Sequence, residues 1–165
     1  MRKSALRFTW IRLENWRNFR SVEADLGPRV FLIGPNASGK SNFLDAFRFL
    51  RDIASDGGGL QEAVRRRGGV SALRYLGAPK RAEITVHVAV GNGKESRAWE
   101  YAVSFHEAKG PESRVAVRSE RVVKQGHPLL SRPSGEDIQD SQRLTQTHLE
   151  QVTVNREFRD LARFF

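Results

Sequence analysis

The residues best suited to chemistry form one short run, Gly-Pro-Asn-Ala-Ser-Gly-Lys-Ser, at 34–41. Its spacing matches G-x-x-x-x-G-K-[ST], the pattern of a phosphate-binding loop. Gly34 and Gly39 permit tight turns whose N–H groups can surround an anion without a Cβ in the way. Lys40 can reach the outer phosphates of a nucleotide, and the Ser41 hydroxyl is suited to bind Mg²⁺. The pattern therefore predicts a site for ATP and Mg²⁺, with Lys40 as its catalytic residue.

The segments on either side of this loop have the character that the motif requires. Four apolar residues at 30–33 predict a strand that leads into the loop, and a helical pattern runs from Lys40 to about Ile53. The start of that helix would offer its free N–H groups and positive dipole end to a phosphate. Lys40 could instead be a solvated lysine, but a helix start disfavours a cation unless an anion lies nearby.

Composition narrows the class of protein. The chain has 165 residues, 39% of them hydrophobic, which suits one domain with a core of its own. It has no cysteine, so disulfides and thiolate metal sites are excluded. Neither a secretory signal nor a membrane-spanning run is recognisable, which favours a cytoplasmic protein without a membrane partner. The net charge of +9 favours polyanionic partners such as nucleotides, DNA or RNA.

The rest of the chain alternates between two periodicities. Period-two alternation predicts strands at 7–16 and 22–26, and an antiparallel meander with one apolar face across 84–123. The helix after the loop should bury a stripe of five residues, namely Phe43, Leu44, Phe47, Leu50 and Ile53. A short turn is expected at 60–64, a hairpin turn at 91–94, a turn at 109–111, a surface loop at 124–140 and a helix at 157–165.

Two groups of residues each permit two interpretations. Trp16, Arg17, Phe19 and Arg20 could stack on a base, whereas the aromatic rings could equally be core residues at a strand end. The basic run Arg65-Arg66-Arg67 could hold a phosphate backbone or be a solvated loop.

The motifs together resemble a known family. Asn18-Phe19-Arg20-Ser21 between two strands, followed by Gly34–Ser41 and then Asn42-Phe43-Leu44-Asp45-Ala46, looks like the N-terminal lobe of ABC-class AAA ATPases of the RecF, SMC and OLD group. The resemblance implies an α/β P-loop NTPase lobe with an antiparallel β subdomain, linked to DNA repair or anti-phage defence. It divides one lobe at 1–165 into a P-loop core (1–55), a β subdomain (80–125) and a loop with a helix (126–165).

The resemblance also implies a binding mode. ATP would lie between two heads, and the partner is the remainder of the ATPase or a second head. The 18–21 loop would lie near the base and ribose. The nucleotide-binding residues would be Gly34, Pro35, Asn36, Ala37, Ser38, Gly39, Lys40, Ser41, Asn42, Asn18 and Arg20.

Some parts of the family's pattern do not occur in this sequence. There is no apolar strand ending in Asp-Glu (the Walker B motif) and no Leu-Ser-Gly-Gly signature. The chain is therefore expected to be the first part of such an ATPase and to lack its catalytic half. Two alternatives stay open: a nucleic-acid-binding module with a vestigial P-loop, or a P-loop kinase, which the meander after the loop disfavours.

Overall fold

One antiparallel sheet of six strands dominates the structure, a computed structural model that describes residues 5–93, 95–108 and 114–165. The strands lie in the spatial order β2-β1-β3-β4-β5-β6, and every neighbouring pair is antiparallel. Their bounds are Arg7–Trp16 (β1), Phe19–Asp25 (β2), Ile84–Gly91 (β3), Trp99–Glu107 (β4), Val115–Lys124 (β5) and His127–Arg132 (β6).

The strands predicted from alternation are confirmed, except that β2 begins at Phe19 rather than Val22, so residues 19–21 of the expected loop belong to a strand. On β1, Ile11 and Leu13 are fully buried, while Arg12 between them is exposed. Leu13 lies opposite Val86 of β3, so the apolar faces of neighbouring strands coincide. The predicted meander corresponds to β3, β4 and β5, and its buried side supplies a large share of the core.

The expectation of a surface loop at 124–140 is wrong over most of that range. Gln125 and Gly126 both have positive φ, 49° and 80°, which makes a two-residue turn of the kind that closes hairpins. The chain therefore returns as β6, where Pro128 is tolerated because β6 is an edge strand. The predicted turn at 109–111 lies outside the described residues, as does one residue of the turn at 91–94.

Within the described residues, five α-helices pack against or around this sheet: Lys40–Ala54 (α1), Leu60–Arg65 (α2), Val70–Leu73 (α3), Gly135–Gln139 (α4) and Arg159–Phe164 (α5). Two short 3₁₀ helices, Ser141–Thr145 and Arg156–Phe158, lie between α4 and α5. The predicted helix after the loop is α1, and α5 confirms the one predicted near 157–165. Phe49 of α1 contacts Trp16 and Phe105, with ring centroids 5.2 and 5.3 Å away, so α1 packs on the sheet. The predicted stripe is confirmed for Phe43, Leu50 and Ile53, but it is wrong for Leu44, which is 44% exposed, and it omits Phe49, which is fully buried.

The strand expected at 30–33 is not formed. These residues have no regular secondary structure, and Phe31 and Ile33 are 82% and 94% exposed. A strand is stabilised by its neighbours in a sheet. The described sheet ends at β2 on one side and at β6 on the other, and residues 30–33 pair with neither of these edge strands.

The division of the chain into smaller units stays a prediction. The single sheet nevertheless crosses the proposed boundaries, because β1 pairs directly with β3, and β6 lies within the range assigned to a loop and a helix. Across the described residues, no helix combines the length and apolar character needed to cross a bilayer.

Candidate nucleotide-binding site

The loop at 34–39 leads directly into the first turn of α1. The amide of Ser38 donates to the carbonyl of Pro35 at 3.3 Å and so closes a turn through Asn36 and Ala37. Ala37 has a φ of +64°. Gly39 then begins the helix, since its carbonyl accepts from the Phe43 amide at 2.8 Å. Among the described residues, no side chain caps this helix start, and its first turn contains no acidic residue.

Gly39 is required for two separate reasons. Its φ of +99° lies in the region that only glycine occupies without strain. A Cβ at this position would also lie 2.8 Å from Cζ of Phe19. The chain around the β1–β2 turn therefore packs so closely against the end of the loop that residue 39 has no room for a side chain.

Lys40 points back across the loop. Its Nζ donates to the carbonyls of Gly34 and Pro35, both at 2.7 Å. The ammonium group thus lies within the curve of the loop, where it could meet an anion held by the main chain. Ser41 follows in the first turn and is exposed.

Asn18 connects the β1–β2 turn to this loop. Its Oδ1 accepts from Nδ2 of Asn42 at 2.8 Å, and its own Nδ2 lies 3.5 Å from the carbonyl of Ser38. Asn42 is fixed in turn, because the indole of Trp16 donates to its carbonyl at 2.8 Å. The structure therefore brings Asn18 and Asn42 together with the loop, as the expected set of site residues requires.

The two interpretations of the neighbouring aromatic residues can now be separated. Trp16 is fully buried and contacts Phe49, so it is a core residue and offers no face to a base. Phe19 is partly buried, and its ring lies edge-on to that of Phe43 with the two centroids 6.4 Å apart. It packs against the core, so the interpretation as a core residue at a strand end fits Phe19 as well.

Arg20 lies apart from the loop. Its side chain lines a cleft with Glu14 and Tyr75, and it has no hydrogen bond to residues 34–42, all of which are described. Its assignment as a nucleotide-binding residue stays a prediction.

A cluster of charges lies beneath the loop on α1. Asp45 accepts hydrogen bonds from two arginines: Nη2 of Arg17 at 2.9 Å, and Nε of Arg67 at 3.1 Å. Burial raises the pKa of Asp45, but the hydrogen bonds and charges of Arg67 and Arg17 outweigh burial and hold that pKa below its ordinary value. Arg67 also pairs with Asp52 at 2.9 Å, and its guanidinium lies 5.3 Å from the Phe49 ring. Sequence reasoning had placed Asp45 outside the buried stripe and missed this role.

The basic run at 65–67 divides into two parts. The Arg67 side chain is only 7% exposed and is held by Asp45 and Asp52, so the expectation that all three arginines could touch a phosphate backbone is wrong for Arg67. Arg65 and Arg66 are exposed, and both pair with Glu62. Their hydrogen bonds lower the pKa of the Glu62 carboxyl to about 2, so it stays ionised at neutral pH and offsets one of the two charges.

Comparison with known proteins agrees with this arrangement. A family model described as "AAA domain, putative AbiEii toxin, Type IV TA system" matches residues 29–159, most of the chain. The chain belongs to this family of AAA domains. The matched range begins just before the loop and includes α1 with Asp45, the Arg67 that pairs with it, and strands β3 to β6.

Individual relatives are more distant. The "DNA replication and repair protein RecF" of Corynebacterium jeikeium (strain K411) is 28% identical over 90 residues, which are 53% of this chain and 21% of that protein. A solved structure of the recombination mediator protein RecF with ATP gives a TM-score of 0.48 at 20% identity and covers 76% of this chain and 29% of its own. A structure from work on ATP-driven dimerization and DNA-stimulated activation of SMC ATPases gives a TM-score of 0.43 at 18% identity. The match covers 74% of this chain and 72% of that chain. This AAA domain therefore spans about a fifth of the RecF protein that it matches.

Proposed function

We propose that this AAA domain binds ATP with Mg²⁺ at the loop formed by residues 34–41. The observation that carries the proposal is the start of α1, where Gly39 in a left-handed conformation leads into an uncapped first turn beside Lys40. Uncapped N–H groups and a positive dipole end favour a phosphate at this point. The Lys40 ammonium lies against the loop carbonyls of Gly34 and Pro35 and would neutralise the outer phosphates.

In this proposal the remaining loop residues have distinct roles. The main-chain N–H groups of Gly34, Asn36, Ala37 and Ser38 would donate to the phosphates, while Pro35, which has no N–H, would shape the loop around them. The exposed Ser41 hydroxyl would be a ligand of Mg²⁺. Asn18 and Asn42 would hold the loop in shape, while Arg20, two residues after Asn18, would lie towards the base and ribose.

The Mg²⁺ contact provides a direct test. Ser41→Ala should weaken ATP binding in calorimetry when Mg²⁺ is present and change it by less than about twofold in excess EDTA, since only the metal ligand is removed. Ser55→Ala is a matched control, because Ser55 lies at the other end of α1. An equal loss with and without Mg²⁺ would contradict the assignment of Ser41.

We further infer that a second protein part completes the site. The apolar segment at 30–33 is exposed directly before the loop, and Val30 and Leu32 line an apolar groove with Leu26, Phe43 and Phe47. Exposed apolar patches of this kind are typical of interfaces. The partner that fits the family is the remainder of an ATPase or a second ATPase head, with ATP bound between the two.

A role with nucleic acid is the second candidate, and the net charge of +9 favours it. The exposed Arg65 and Arg66 could contact DNA phosphates, with Glu62 lowering their combined effect. Alanine at both positions should reduce the salt dependence of DNA affinity by about two counterions. Arg118→Ala is the control, since Arg118 is an equally exposed arginine on β5. DNA binding whose salt slope is unchanged by the double variant would exclude this surface.

A further inference from the structure

The carboxylate of Asp45 lies between two parts of the chain that are distant in sequence. Its Oδ2 accepts from both Nε and Nη2 of Arg17, at 3.2 and 2.9 Å, and Arg17 belongs to the β1–β2 turn. Both of its oxygens also accept from Arg67, which follows α2. Asp45 itself is on α1, one turn after the proposed phosphate-binding residues. A single side chain therefore joins α1 to both segments.

The Arg17 turn needs such an anchor because its backbone is unusual. Arg17 has a φ of +51°, a conformation that non-glycine residues adopt at a cost. Its amide donates to the carbonyl of Leu73 at 2.5 Å, and its side chain is held by Asp45. The next residue is Asn18, which contacts Ser38 and Asn42. The position of Asn18 against the loop thus follows from how Arg17 is held.

The electrostatics of the cluster favour a permanent anchor. The side chains of Asp45 and Arg17 are 19% and 25% exposed, so water screens their attraction less than it would at the surface. Arg67 is held at three further points, by Asp52, by the carbonyl of Ala63 and by the ring of Phe49. Arg67 is therefore a fixed partner that holds the Asp45 carboxylate in place, and Asp45 in turn holds the side chain of Arg17.

We propose that Asp45 is a positioning residue of the nucleotide site, which holds the β1–β2 turn so that Asn18 supports the phosphate-binding loop. The proposal rests on the proposed binding of ATP at residues 34–41. The Asp45 side chain has no hydrogen bond or ion pair with residues 34–41, all of which are described; it acts through Arg17 and Asn18.

Asp52 supplies a matched control. It also lies on α1 and also pairs with Arg67, but it has no contact with Arg17. Asp45→Asn removes the negative charge that both arginines share and replaces one accepting oxygen with an NH₂ donor, so the hold of this side chain on Arg17 is weakened. Asp45→Asn should weaken Mg-ATP binding by about threefold to tenfold, whereas Asp52→Asn should change it by less than about twofold.

A double-mutant cycle separates positioning from a general loss of stability. If Asp45 acts through Asn18, then Asn18→Ala combined with Asp45→Asn should bind ATP within about twofold of Asn18→Ala alone. Effects that simply multiply would overturn the proposal. Arg17→Ala breaks the same contact from the other side and leaves the pairs of Arg67 intact, so it replaces Asp45→Asn if that variant does not fold.

Hydrogen exchange without nucleotide separates this proposal from the binding of ATP itself. Amides at 17–19 should exchange faster in Asp45→Asn than in Asp52→Asn, because only the first variant releases the turn. Equal exchange in both variants would refute the positioning role whether or not ATP binds. Faster exchange in Asp45→Asn, together with no ATP binding by the wild type, would refute the proposed function and leave the anchor in place.

Discussion

Arg132 offers a demanding test of how the sheet positions the rest of the molecule. Its side chain is 1% exposed and pairs with two buried carboxylates, Glu120 at 3.1 Å and Asp137 at 2.8 Å. It also donates to the carbonyls of Arg143 and Gln146, both at 2.8 Å. Arg132→Ala would leave Glu120 buried without a charged partner and Asp137 with only its longer pair to Arg143, at 3.4 Å.

The consequences extend beyond this cluster. Glu120 also accepts from the main-chain amides of His148 and Leu149, at 2.7 and 3.1 Å, and so holds the segment before the last helix. The next residue, Glu150, accepts a hydrogen bond from the amide of Leu60, at the start of α2, over 2.7 Å. Since Arg67 follows α2, the buried cluster is linked to the charges around Asp45 beneath the proposed nucleotide site.

The magnitude follows from burial. Removing one partner of a buried ion pair typically costs about 3–5 kcal/mol, because an uncompensated charge remains inside. With a urea m-value near 2 kcal/mol/M, the unfolding midpoint of Arg132→Ala should fall by about 2 M. Arg143→Ala is the control: Arg143 pairs with the same Asp137 but is 41% exposed, so its loss should cost about 0–1 kcal/mol.

Equilibrium urea unfolding followed by circular dichroism measures both variants. A midpoint for Arg132→Ala no lower than that of Arg143→Ala would refute the reasoning, since it would mean that the buried cluster contributes no more than a surface pair.

Three further expectations concern the site itself. In the folded protein the pKa of Asp45 lies below its ordinary value of 3.8. The contribution of this carboxylate to the stability of the fold is therefore complete above about pH 4 and is lost as the pH falls through the folded pKa. Asp45→Asn should flatten the pH dependence of the unfolding free energy below about pH 4. Gly39→Ala should cost at least about 1–2 kcal/mol in chemical denaturation, whereas Gly57→Ala, with positive φ but open space around it, should cost about 1 kcal/mol. The chain alone should bind ATP yet hydrolyse it no faster than Lys40→Ala, because a water-activating group is still needed; turnover near 1 per second that is lost in Lys40→Ala would contradict this.

Periodicity predicted those elements that bury one face and expose the other. The alternation on β1 and β3 and the helical spacing on α1 each reflect one buried face, and both matched the structure. The segment at 30–33 has the same apolar character but no neighbouring strand among the described residues. Composition alone therefore could not decide whether its strand forms.

The buried charges were beyond sequence reasoning for a different reason. On β5, Val115 and Val117 are buried, but after an irregularity in the pairing with β4 the buried positions become Glu120 and Val122. A β-bulge reverses which side chains face inward, and periodicity cannot locate it in advance. Asp45 was likewise read as a polar position outside the apolar stripe, since only the fold brings Arg17 and Arg67 to it.

The proposed ATP site depends most on Lys40 and the loop around it. Calorimetric titration of Mg-ATP into the wild type and Lys40→Ala, with Lys80→Ala as a control, tests this directly. Loss of the Lys40 charge should weaken binding at least about tenfold, equivalent to about 1.4 kcal/mol, while Lys80→Ala should bind as the wild type does. Equal affinities for the wild type and Lys40→Ala would contradict the assignment of residues 34–41 as the ATP site.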